Sequence, residues 1–339
     1  MKRKILTASL LVIAGLLSLA LRENSEFTRN GTAMNTLIRM TVYGQNESVL
    51  DDSFALLSSL DKRLSMYDPS SDISIINKNS GVREVPASPE TIETIKDSVR
   101  LYEITGGVFN PLIGAVTRLW KINRPEGKLP SQESLDIAVK LSGIQNLTVS
   151  EGNVFLKEKG CVLDLGGIAK GYASTKISRL MKDKGVKSAI IDLGGNVHTV
   201  GSKPDGSSWR VGIRNPLETF GSPAVIVEVK DCAVITSGNY ERYRTVDGKK
   251  YSHFFDPLTG RSIMSDLLSV TVISEDGSLA DGLATAFMIT GVDKALEILR
   301  KMENPPRVIF ITHSGISATS NAKDNIVRSL IPVSFHSLH

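Results

Sequence analysis

Apolar residues follow two rhythms along the chain. Across residues 53–64 (SFALLSSLDKRL) they recur at helical spacing and predict an amphipathic helix. A second helix is announced by Ser88-Pro89-Glu90, with serine at the cap and proline at the first position, and Gly106-Gly107 ends it after Thr105. Residues 131–141 predict a third helix, and residues 37–43 (LIRMTVY) read as a strand. Beyond Leu141 short β-like runs take over, at residues 147–149, 154–157, 162–165, 189–193, 209–213, 225–229 and 233–236. Asp247-Gly248, set between two alternating runs, signals a hairpin. A turn at residues 256–260 follows, then a strand at 268–273, helices near 281–289 and 292–302, and a strand at 307–312. Hairpin-linked strands mixed with blocks of helix predict an α+β fold with mixed or antiparallel sheets.

The N-terminus has a different texture. Lys2, Arg3 and Lys4 precede an uncharged stretch from Ile5 to Leu21, the layout of a secretory signal. Ser18-Leu19-Ala20 offers small residues for cleavage after Ala20. The stretch is also near the lower limit of the roughly 17–25 residues that span a bilayer, so an uncleaved anchor fits as well. No cysteine lies nearby to carry a lipid. The expected location is the periplasm or the outer face of the cytoplasmic membrane. Loss of residues 1–20 removes three positive charges, taking the net charge from +4 to +1, which leaves no broad basic field for nucleic acid. No charge run or Pro/Ser-rich linker divides residues 21–339, which are read as a single domain. Cys161 and Cys232 both lie in or beside apolar runs and read as buried, with a disulfide permitted but not implied.

Four segments carry candidate chemistry. Asp164-Leu165-Gly166-Gly167-Ile168-Ala169-Lys170-Gly171 follows an apolar run and opens a helix. Its glycines and the helix N-terminus can present N–H groups to a phosphate, with Lys170 as an added charge; a plain tight turn is the competing reading. Asp192-Leu193-Gly194-Gly195-Asn196 repeats the pattern after another strand. Asp281 and Thr285 stand at i and i+4 on one helix face, hard oxygen donors suited to Mg²⁺, although Asp281 alone would also serve as a helix cap. His253 precedes Phe254-Phe255-Asp256-Pro257. From the residues alone it reads as a packed histidine, and next to a phosphate cleft it becomes a proton acceptor. No GxGxxG or GxxxxGK[ST] element follows a strand.

Taken in order, these segments resemble the ApbE family of FAD:protein FMN transferases. The resemblance also rests on Thr32-Ala33-Met34-Asn35-Thr36, Leu64-Ser65-Met66-Tyr67, Thr105-Gly106-Gly107-Val108-Phe109-Asn110-Pro111, Trp209 to Arg214 and Thr236 to Tyr243. It implies a T-fold-like architecture, FAD as substrate, and Mg²⁺ held by Asp281 and Thr285 with main-chain oxygens near Ala169 and Ala284. It implies flavin-pocket roles for Met34 and Tyr67, a diphosphate rim of Gly166, Gly167, Lys170 and Gly195, and a pocket place for Asn110. His253 is the candidate base and Asp256 its candidate orienting partner. The reaction implied is transfer of FMN to a threonine or serine hydroxyl with release of AMP. The acceptor implied is a subunit of a membrane redox complex or another extracytoplasmic flavoprotein. An FAD pyrophosphatase and a non-catalytic exported flavin-binding protein are the alternatives. Two residues depart from the family pattern: Asn35 where glycine is usual, and Asn110 where aspartate is usual.

Overall fold

The computed structural model describes residues 25–44, 47–122, 129–218 and 221–338; the candidate signal peptide or anchor, residues 1–20, lies outside them. Seven α-helices are described: α1 (Ser48–Leu64), α2 (Asp72–Lys78), α3 (Pro89–Ile104), α4 (Gly114–Trp120), α5 (Gln132–Leu141), α6 (Ala169–Asp183) and α7 (Gly277–Arg300). The strands are β1 (Glu26–Ala33), β2 (Thr36–Tyr43), β3 (Val85–Pro86), β4 (Leu147–Val149), β5 (Asn153–Leu156), β6 (Ser188–Leu193), β7 (Asn196–Gly201), β8 (Trp209–Ile213) and β9 (Val225–Val229). They continue with β10 (Ala233–Gly238), β11 (Tyr243–Val246), β12 (Lys249–Ser252), β13 (Leu267–Ser274), β14 (Arg307–Thr312), β15 (Ile316–Thr319), β16 (Ile326–Ser329) and β17 (Val333–His336). None of the described helices is long and apolar enough to cross a membrane.

A nine-stranded sheet in the order β1-β2-β6-β7-β10-β13-β14-β15-β17 is the backbone of the fold. All its pairings are antiparallel except β15 with β17. Side-chain alternation sorts the residues of its central strands into two cores. Ala233 and Ile235 of β10, Val270 and Val272 of β13, and Val308 and Phe310 of β14 pack with α1, α6 and α7. Val234, Ile273, Ile309 and Ile311 point the other way, against the small sheet β16-β9-β8. That is why β13 is buried along seven of its eight residues, the pattern of a strand covered on both faces.

The predicted α+β class holds, as do most of the predicted elements. Ser88 and Ser131 cap α3 and α5 by accepting from Thr91 N and Ser134 N. Asp247 and Gly248 take positive φ (50° and 75°) at the β11–β12 turn, the conformation a two-residue hairpin loop of this kind requires. Two expectations differ. Residues 162–165 are not a strand. Only a single bridge joins Val162 to Ile113, the N–H and C=O of Leu163 are both bonded by the Asn77 side chain, and Asp164 N donates to Pro111 O. A side-chain amide here does the work of a neighbouring strand. The last long helix starts at Gly277, not Asp281, because Asp276 caps it by accepting from Ser278 N and Leu279 N. Asp281 lies inside the helix, which removes the capping explanation for it. The expected break between two helices is present: Gly291, whose φ of 76° and ψ of 179° are not helical, divides α7 into two helical segments. Both cysteines are free and buried.

Candidate active site

One end of the sheet is built from the start of β2, the β6–β7 turn and the end of β10, and the first turns of α6 and α7 abut it. There a cleft of about 560 Å³ opens, within the size range of small-molecule sites. Its polar lining includes Asp164, Lys170, Asn196, Glu241, Arg242, His253, Asp281 and Thr285. Phe109, Ile113, Phe254, Phe255 and Ile289 supply apolar walls. Trp120 fixes the far wall. Its Nε1 donates to Gly260 O at 2.7 Å, and its ring stands 5.4 Å from Tyr251 and 5.6 Å from Phe255, tying α4 to the hairpin and the turn beyond it.

The floor is made by the crossing of α6 and α7. A Cβ placed on Gly171 would sit 2.0 Å from Gly277 O, so only glycine permits this approach. The close packing delivers Asp281 to the N-terminus of α6, where Gly171 N donates to its Oδ2 at 2.8 Å. Asn196 Nδ2 lies 3.3 Å from Oδ1. Asp281 is 3% exposed, and its burial pushes the carboxyl pKa up while Lys170 pulls against that. Asp281 has no ion pair among the described residues, and a buried carboxylate held only by two hydrogen bonds is costly unless a cation joins it. One helical turn on, Thr285 Oγ1 stands 3.5 Å from Gly167 O. Gly167 cannot gain a Cβ without meeting Phe109 at 3.1 Å and Thr285 at 3.3 Å.

One carboxylate, one hydroxyl and a main-chain oxygen form a sparse set of hard donors. Mg²⁺ completes such a set with water and phosphate oxygens, so the residues present fit that ion. Of the main-chain oxygens, that of Gly167 is beside Thr285; Ala169 and Ala284 do not line the cleft, and Ala284 is wholly buried within α7.

His253 lies immediately after β12, half-buried at the cleft. Its Nδ1 is 3.0 Å from Arg242 O, and because a carbonyl only accepts, Nδ1 carries the proton and Nε2 has the free lone pair. Burial, with the charges of Arg242 and Lys170, lowers its pKa to about 4. Asp256 does not orient it. The carboxylate of Asp256 accepts from Leu258 N and Thr259 Oγ1, closing its own turn, and the orienting group is the Arg242 carbonyl.

The two glycine-rich turns are less open to anions than their composition implies. Gly166 N donates to Asp164 Oδ1, Gly195 N to Asp192 Oδ1, and Ile168 N and Ala169 N to Leu165 O. Attraction for a phosphate therefore falls more on the Lys170 side chain. Gly166, Gly167 and Lys170 line the cleft, whereas Gly195 yields its place to Gly194. Tyr67 stands at the mouth, 73% exposed. Met34 does not line the cleft; its N–H donates to Asp61 Oδ2 in the β1–β2 turn.

Both departures from the family pattern have local explanations. Asn35 has φ 59°, the left-handed conformation that glycine adopts freely and asparagine tolerates. Asn110 uses both ends of its amide, Oδ1 accepting from Leu112 N at 2.8 Å and Nδ2 donating to Ser142 O at 2.9 Å. Arg118 and Lys121 also line the cleft, and nothing in their local sequence marks them; Glu241 and Arg242 line it too, and they belong to the Thr236 to Tyr243 motif, which by itself assigns them no role. Asn196 was visible only as the end of the second glycine-rich pattern.

Fold and cleft together define an α+β protein whose pocket is equipped for a phosphate-bearing ligand and a hard cation. The chain belongs to the ApbE family, whose model matches residues 34–310. It is 30% identical over 321 residues to a Treponema pallidum protein named FAD:protein FMN transferase, covering 89% of each chain. A Vibrio cholerae protein of the same name is 30% identical over 313 residues, with 91% of this chain and 93% of that protein covered. Among solved structures, the ApbE protein of Thermotoga maritima superposes with a TM-score of 0.83 at 27% identity, over 90% of this chain and 100% of that one. The flavin transferase ApbE of Vibrio cholerae gives 0.78 at 26% identity, over 89% and 99%.

Proposed function

We propose that this protein is an FAD:protein FMN transferase that uses Mg²⁺ to move FMN from FAD onto a threonine or serine hydroxyl of a flavoprotein, releasing AMP. The observation that carries the reading is the buried Asp281 carboxylate, which has two hydrogen bonds and no ion pair among the described residues and lines the cleft with Thr285, in a chain whose relatives are named for this activity. The acceptor oxygen bonds to the phosphorus on the FMN side, and the bridging P–O bond breaks with its oxygen leaving on AMP. The hydroxyl proton passes to His253 Nε2, which the Arg242 carbonyl keeps available. Lys170 attracts the diphosphate, and Tyr67 with the apolar wall receives the ring system. Mg²⁺, held by Asp281, Thr285 and a neighbouring main-chain oxygen, would neutralise charge on the diphosphate. Burial is the larger cause of the lowered pKa of His253; the anionic diphosphate offsets the smaller contribution of Arg242 and Lys170 and so shifts Nε2 towards greater basicity.

The basic, then apolar, N-terminus supports export, placing acceptors among extracytoplasmic flavoproteins or membrane redox subunits. Residues 21–339 are proposed to unfold as one cooperative unit. The deciding experiment mixes purified residues 21–339 with FAD and a candidate acceptor flavoprotein, with and without Mg²⁺. AMP is followed by chromatography and the acceptor by intact mass. Magnesium-dependent AMP release with one FMN added to the acceptor is expected. AMP and free FMN with an unmodified acceptor would point to the pyrophosphatase, and FAD binding without AMP to a carrier.

A further inference from the structure

Asp281 has two carboxylate oxygens, and each is met by a different element. Gly171 N–H of α6 reaches Oδ2 at 2.8 Å, and the Asn196 side-chain amide of β7 reaches Oδ1 from 3.3 Å. Asn196 is 3% exposed and lines the cleft, so its amide is committed to the site interior and not to solvent. Its place is fixed by the β6–β7 hairpin, in which Leu193 pairs with Asn196 across Gly194 and Gly195 at φ 67° and 92°. Two residues further along the same face of β7, buried His198 lies 3.2 Å from Ser174 Oγ through Nδ1. The Ser174 hydroxyl donates to Gly171 O at 2.9 Å, so the histidine N–H must be the donor to Ser174. One strand therefore props Asp281 twice, directly through Asn196 and indirectly through the first turn of α6.

We propose that Asn196 is a positioning residue that fixes the plane of the Asp281 carboxylate so that it presents an oxygen to a divalent cation in the cleft. The inference rests on the metal reading above. With both oxygens tethered, the carboxylate cannot rotate away from Thr285, and the cation meets a preset ligand. Second contacts of this kind commonly change metal affinity by about 10–100-fold.

The test uses Mn²⁺ as a spectroscopic probe on purified residues 21–339, reading its affinity by electron paramagnetic resonance in wild type, Asn196→Ala, Asn196→Leu and Asp281→Asn. Leucine keeps the shape of asparagine without its donor, so it stands in if the alanine variant fails to fold. Far-UV circular dichroism and thermal melts check the fold. We expect both Asn196 variants to bind Mn²⁺ about 10–100-fold more weakly than wild type while holding a native spectrum. Affinity within threefold of wild type in the leucine variant, with Asp281→Asn abolishing binding, would overturn the role of Asn196 and leave the metal reading intact. No Mn²⁺ binding by wild type would overturn both.

Discussion

Gly171 and Asp281 belong to different helices, yet the N–H of one donates to the carboxylate of the other at 2.8 Å. Gly171 is the third residue of α6, so this N–H has no partner within its helix, and a negative group beside the helix N-terminus is favourable. Its Cα is so near α7 that a Cβ would stand 2.0 Å from Gly277 O and 2.6 Å from Asp281 Cβ. The contact that allows the helices to cross is thus also the contact that sets the acidic residue of the cleft.

Gly171→Ala is expected to force the helices apart. The clash is with backbone, which cannot swing away, so a loss on the order of 3 kcal/mol is expected in urea unfolding, with Mn²⁺ affinity lost alongside it. Unchanged stability would mean that the crossing is not tight.

His253→Ala should lower the FMN transfer rate by about 10²–10⁴-fold at saturating FAD while leaving FAD binding near wild type. Because the pKa of His253 is lowered to about 4, the free protein keeps it neutral throughout the physiological range. The acid limb of kcat/KM should therefore fall near pH 4 and not near 6.5. A limb at 6.5 that disappears in the alanine variant would contradict the lowered value.

His198 gives a stability prediction with a definite sign. It is 2% exposed, and burial together with Lys182 and Arg179 lowers its pKa to about 4. The folded value is below the unfolded one, so its contribution is complete above about pH 6.5 and is lost as pH falls through about 4. At 1.36 kcal/mol per pH unit that gap amounts to about 3 kcal/mol. His198→Gln should flatten the pH dependence of unfolding between pH 6.5 and 4 relative to wild type, as measured by denaturant titrations at each pH.

Asn110→Asp restores the residue usual in the family but removes the donor to Ser142 O and sets a carboxylate against that carbonyl. A loss of about 1–3 kcal/mol is expected, measurable as a lower urea midpoint. A neutral result would mean that the Ser142 contact contributes little.

Local rules made much of this protein legible in its sequence. Serine caps at Ser88 and Ser131, the Asp247-Gly248 turn, the alternating runs of β2, β8 and β9 and the short continuous apolar run of β14 each encode their own geometry within a few residues, because capping, turn conformation and strand pleat are short-range effects. The ordered motifs also disclosed the family, and with it Asp281, Thr285, Lys170 and His253 as cleft residues. What the tertiary structure decided lies in groups brought together from distant parts of the chain. Residues 162–165 look like a strand, but Asn77 takes the place of the missing neighbour, 86 residues away. Asp256 looks like the partner of His253, but its own turn consumes the carboxylate and the Arg242 carbonyl takes over. Asp281 looks like a helix cap until Asp276 is seen to cap α7, leaving Asp281 to face Gly171 and Asn196. Such outcomes depend on which polar groups from distant parts of the chain end up within hydrogen-bonding distance, and that is settled only when helices and sheet have packed.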